Sequence, residues 1–100
     1  MTPKRVVLSV SARADLDEIF AWFADRAGNS KAHAITREIR EFAASLSTLA
    51  ERGAPRPELA PGVRILVLAG RATLVYRSSP DMILILRIAP AGRDLPRALG

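Results

Sequence analysis

Three apolar stretches crowd the second half of the chain: VRILVL (63–68), RATLVYR (71–77) and MILILRIA (82–89). Between them lie only Ala69-Gly70-Arg71 and Ser78-Ser79-Pro80-Asp81. A parallel connection needs a dozen or more residues, so strands joined this tightly run antiparallel, as a meander. Pairing 69 with 72 and 77 with 82 puts Val63, Ile65, Val67, Leu74, Tyr76, Ile83, Ile85 and Arg87 on one face. Arg64, Leu66, Leu68, Thr73, Val75, Arg77, Met82, Leu84, Leu86 and Ile88 then share the other. Both faces are apolar, so helices cover one and the second is expected to meet a partner.

The first half supplies the helices. RVVLSV (5–10) alternates as a half-buried strand does. Ser11 is placed to cap a helix near 12–27, whose stripe is Leu16, Ile19, Phe20, Phe23 and Ala27. Asp15, Asp17 and Glu18 then fall in its first turns, where the helix dipole favours them. Gly28 suits the residue after the helix, and Asn29-Ser30 can cap a second helix over 31–52, with Ile35, Ile39, Phe42, Leu46 and Leu49 inward. APRPELAPG (54–62) connects this helical hairpin to the meander. The expected fold is α+β, ordered β-α-α-β-β-β, with the hairpin packed on a mainly antiparallel four-stranded sheet. Residues 1–100 make a single domain.

Composition removes several functions. The chain has no cysteine and one histidine, which leaves no disulfide and no plausible zinc site. No cofactor is expected. No apolar run reaches the roughly 18 residues of a membrane span, and the N-terminus lacks a signal peptide's apolar core, so the expected location is cytoplasmic. The net charge is +5. Residues 54–100 carry seven arginines, no lysine and three acids, Glu58, Asp81 and Asp94. Arginine used this way suits bidentate recognition of carboxylate or phosphate, although a codon bias toward arginine gives the same count.

Taken singly, several residues have plain readings. His33 reads as solvent-facing and Tyr76 as a core tyrosine with a satisfied hydroxyl. Trp22 lies beside the first helix's stripe and suits an interface anchor as well as packing. Asp15, Asp17 and Glu18 complement the helix dipole better than they make a catalytic pair. Arg64 and Arg77 fall opposite one another on one face, which needs an acidic bridge. Arg87 interrupts an apolar strand and needs an acceptor, for which Asp94, Glu58 or a partner's carboxylate are candidates.

The ordered set of ARADLDEIFAWFA (12–24) preceded by Ser11, LAPGVRILVL (59–68), LVYR (74–77) and ILRIAPAGRD (85–94) resembles the ParE/RelE toxins of type II toxin–antitoxin systems. The resemblance spans nearly the whole chain. It implies a hetero-oligomeric complex with a small acidic, ParD-like antitoxin, bound through Trp22, Arg64 and Arg77. It implies DNA gyrase as target, met by Arg87, Arg93, Asp94 and Arg97. The RelE branch, a ribosome-dependent mRNA endoribonuclease, would instead use Arg64, Arg71, Tyr76, Arg87 and Arg93 as catalytic residues. Thr73 stands where that branch often has arginine, Pro90 where many relatives have histidine, and no tyrosine or histidine follows Tyr76. These departures favour the ParE branch. An inactive relative that only binds antitoxin is the third possibility.

Overall fold

A computed structural model describes residues 3–91 of the chain. The elements are β1 (Arg5–Leu8), α1 (Val10–Ala27), α2 (Asn29–Ala44), a 3₁₀ turn (Ser45–Ser47), β2 (Ala54–Pro55), β3 (Val63–Leu68), β4 (Ala72–Ser78) and β5 (Met82–Pro90). The strands form one sheet in the order β1-β5-β4-β3-β2. All pairings are antiparallel except β1 with β5, which is parallel. The expected α+β architecture is present, with a fifth strand: Ala54 and Pro55 open the proline-rich connection by pairing with Ile65 and Arg64.

The helical hairpin packs on one sheet face. Leu16, Ile19, Ile35, Ile39, Ala43 and Leu46 meet Leu74, Tyr76, Ile83, Ile85 and Ile88, all buried. On the far face Val63 and Val75 are also buried, whereas Val67 is 60% exposed.

The strand register differs from the expectation through the turns. Ala69, Gly70 and Arg71 all lie outside the ladder, so Leu68 pairs with Ala72 and β3 slips by one residue. Gly70, at φ 75°, supplies the left-handed residue that this three-residue connection requires. A one-residue slip exchanges the faces of a strand. Arg64 therefore pairs with Tyr76 and Arg77 with Val63, so the two arginines lie on opposite faces, not together. Leu74, Tyr76, Ile83 and Ile85 do share a face. A bulge between Val75 and Tyr76 then shifts the pairing, so Leu74 opposes Ile88 and Val75 opposes Arg87.

Both helices begin earlier than in the sequence reading, and the second also ends earlier. Ser9, not Ser11, caps α1: its Oγ accepts from Ala12 N–H at 3.0 Å and donates to Leu86 O at 2.9 Å. Val10 is thus helical and 85% exposed, and no acid falls in the first turn. Gly28, at φ 91°, ends α1 as expected. It also directly precedes α2, whose first residue is Asn29, and no side chain caps that helix. The second helix stops at Ala44 rather than near 52, because Ser45 Oγ turns back to Phe42 O and the chain tightens to 3₁₀. Leu49 consequently leaves the apolar stripe and is 52% exposed.

Candidate functional site

The last strand, β5, outruns its parallel neighbour. β1 pairs with β5 only as far as Leu8 opposite Ile85, after which Ser9 turns the chain into α1. The β5 edge beyond that point would expose unpaired amides. Asp15, in the second turn of α1, fills the gap: its Oδ2 accepts from Ile88 N–H at 2.8 Å. Two residues on, Pro90 has no N–H to leave open. The same carboxylate holds Arg87 side-on, with Nε to Oδ2 at 2.8 Å and Nη2 to Oδ1 at 2.9 Å. The Asp15 side chain is 13% exposed and that of Arg87 42%. The hydrogen-bonded charge of Asp15 raises the guanidinium above its ordinary value, so it is always a cation.

Arg87 therefore does find an acceptor inside the chain, but neither Asp94 nor Glu58 is the residue seen to provide it. Sequence reasoning missed Asp15 because it began the helix two residues late. With Ser9 as the cap, Asp15 lies beyond the first turn, where the dipole account lapses and another partner becomes necessary.

A second polar cluster centres on a buried tyrosine and runs out to the surface at Glu51. Tyr76 is fully buried; its Oη donates to Ala50 O and accepts from Gly53 N–H, both at 2.8 Å. Burial pushes this phenol above its ordinary value, against an opposing backbone hydrogen bond from Gly53. Across the ladder, Arg64 donates to Gly53 O at 2.7 Å and pairs with Glu51 Oε2 at 3.0 Å. The two side chains staple residues 50–53, the passage from the helices to β2. Gly53 is dictated by this contact, since a Cβ there would lie 2.5 Å from Tyr76 Oη and 2.7 Å from Ile65 O.

The other described arginines after residue 53 are also engaged within the chain. Arg71 lies 3.4 Å from Glu38, Arg56 3.4 Å from Glu58, and Arg77 Nε donates to Pro61 O at 3.1 Å. His33 is exposed and packs edge-on against Phe20. Trp22 is 48% exposed, with the Arg26 guanidinium carbon 4.0 Å from its ring centroid. It borders a groove of about 370 Å³ with Ile19 and Phe23 on one side and Pro90 on the other, rimmed by Glu18 and Arg71. Arg93, Asp94 and Arg97 lie outside the described residues. Among the described residues no three histidine or acidic side chains cluster as metal ligands would, and no helix is long and apolar enough to cross a membrane.

The structure thus gathers Arg87 and Asp15 at one strand edge and Arg64 and Tyr76 in an internal staple. Trp22 lies apart from Arg64 and Arg77, beside the groove. Comparison with known proteins places this arrangement. A chain of the chromosomal ParDE TA system from P. aeruginosa superposes with a TM-score of 0.76 at 33% identity. That match covers 87% of this chain and 95% of the other. A chain of the RelBE2 toxin–antitoxin complex from Mycobacterium tuberculosis superposes at 0.69 and 25% identity, covering 88% and 98%. No curated protein sequence gives a significant match. The family described as the ParE toxin of the type II toxin–antitoxin system, parDE, matches residues 6–95, and the chain belongs to that family.

Proposed function

We propose that this chain is the toxin of a type II toxin–antitoxin pair that acts in the ParE manner on DNA gyrase and is neutralised by a small acidic antitoxin. The observation that carries the choice of target is the internal engagement of the groups an RNase would need. Cleavage through a 2′-OH requires a base, an acid and cations for the phosphorane charge. The Tyr76 hydroxyl is buried and spent on two backbone groups. Arg64, Arg71 and Arg87 each face a carboxylate of their own chain. The likeness to a ParDE toxin at 33% identity supports the same reading.

The antitoxin is a segment disordered alone that folds on the toxin, its acids complementing a net charge of +5. Trp22 is its apolar contact, while Arg64 and Arg77 keep only partial capacity for it, being tied to Glu51 and Pro61. Arg87 meets the target, and so do Arg93, Asp94 and Arg97, which lie outside the described residues.

The test runs the purified chain in two assays: gyrase supercoiling with trapped cleavage complexes, and ribosome-dependent cleavage of a defined mRNA. Gyrase inhibition with intact mRNA is expected. Codon-phased mRNA cuts with normal supercoiling overturn the target. No effect in either assay, and no change in growth on induction, marks an inactive member that only binds antitoxin.

A further inference from the structure

A guanidinium can be gripped on more than one edge, and Asp15 uses only the side-on edge of Arg87, made by Nε and one N–H of Nη2. The end-on edge, made by Nη1 and the outer N–H of Nη2, has no acceptor among the described residues. With 42% of the side chain exposed, that edge can be reached. The bulge opposite Val75 and Tyr76 and the early end of β1 fix where the guanidinium sits. Its rotation is fixed by Asp15, which is itself anchored on Ile88 N–H.

We infer that Asp15 is a positioning residue that presents the end-on edge of Arg87 to a carboxylate of the antitoxin, with the Trp22 groove taking an apolar side chain of the same segment. This rests on the toxin–antitoxin reading above. Asp15 precedes Glu18 and Ile19 by three and four residues, so it lies on the groove-lining side of α1. Arg87 opposes Val75 on the face away from the hairpin, and its guanidinium rounds the β5 edge to reach Asp15 on the groove side. The anion subsite therefore adjoins one end of the groove. The lining chooses the kind of occupant. A nucleic-acid backbone repeats its charge at every step and would run from Arg87 onto Ile19, Phe23 and the carboxylate of Glu18. An acidic residue followed within a few positions by an apolar one matches both parts. A carboxylate seated there also occupies the arginine proposed to meet the target, so the antitoxin neutralises by covering it.

The experiment titrates the product of the adjacent gene, if it encodes a small acidic protein, into the parent chain, Arg87→Lys, Asp15→Asn and the double variant, with thermal unfolding of each. A 12-nucleotide single-stranded RNA serves as the phosphate arm. Arg87→Lys keeps the charge and abolishes the fork. Asp15→Asn keeps an oxygen for Ile88 N–H and removes the charge that orients Arg87. Each is expected to weaken antitoxin binding roughly tenfold or more, and the double variant to lose no more than Arg87→Lys alone. Below its melting temperature a purely structural Asp15 would leave the dissociation constant unchanged, so binding within twofold of the parent in both single variants overturns the proposal. If Asp15→Asn does not fold, Arg87→Lys decides by the same criterion. Weakened RNA binding with unaltered antitoxin binding overturns it in favour of phosphate. A parent chain that does not bind the neighbouring acidic protein defeats the pairing itself, a result separable from any effect of the variants.

Discussion

Tyr76 and Gly53 leave no room for a Cβ between them, and each has a distinct expected failure. Tyr76→Phe leaves the Gly53 N–H buried without an acceptor, which costs about 1–3 kcal/mol; chemical denaturation measures it. The phenol's raised value gives a second reading of the same residue. Its stabilisation is fully present below the unfolded value near pH 10 and is lost as pH climbs through the higher folded value. Melting temperature in the parent should therefore fall above pH 10 more steeply than in Tyr76→Phe. Gly53→Ala forces a Cβ against Tyr76 Oη and Ile65 O, and about 1–3 kcal/mol of overpacking is expected. Gly28→Ala has open space around it, but φ 91° and ψ 162° lie in a region essentially confined to glycine, so it should cost about 1–3 kcal/mol. The sequence announced Tyr76 as a core residue, because it sits among Leu74, Val75 and the other apolar positions of a strand. It could not announce Gly53 as its partner, since that contact joins two elements whose spacing only the packed fold sets.

At the scale of elements, what the sequence displayed depended on periodicity, and what it hid depended on single residues. The helical hairpin and the three-stranded meander were legible because their apolar repeats persist over many residues. The start of α1 was not, because Ser9 and Ser11 are both good caps and the choice is made by Leu86 O, which is distant in sequence and bonds Ser9 Oγ. From that two-residue error came the misreading of Asp15. Ser9→Ala should lower stability by about 1 kcal/mol, a melting shift of about 4–8 °C. Ser11→Ala, on an exposed helical residue, should leave the melting temperature unchanged. The register of β3 was hidden for a similar reason. Two- and three-residue turns are both compatible with Ala69-Gly70-Arg71, and the choice between them exchanges the faces of a strand. The β5 bulge leaves no mark in a run of isoleucines and leucines.

For the whole molecule, the positive charge is less available than its count suggests. Seven arginines follow residue 53, and the five within the described residues all bond or pair inside the chain. This supports a protein partner that binds at selected points over a nucleic acid that needs a continuous basic track. Antitoxin association should accordingly depend only modestly on salt, and affinity measured from low to physiological ionic strength checks it; a slope like that of a multi-phosphate contact would argue for nucleic acid.

The parallel pairing of β1 with β5 carries a consequence in time. Arg5 is opposite Met82, so the first strand made has no neighbour in the sheet until the last has emerged. At about 5–20 residues per second, synthesis of the 77 residues from Val6 through Met82 takes roughly 4–15 s. During that interval β1 and the apolar face of the hairpin lack the strand that closes the core. A chain ending at Arg77 should therefore lack cooperative unfolding, as calorimetry or circular dichroism would read it. The long-range closure acts as a delay: the core closes only once the last strand has been made.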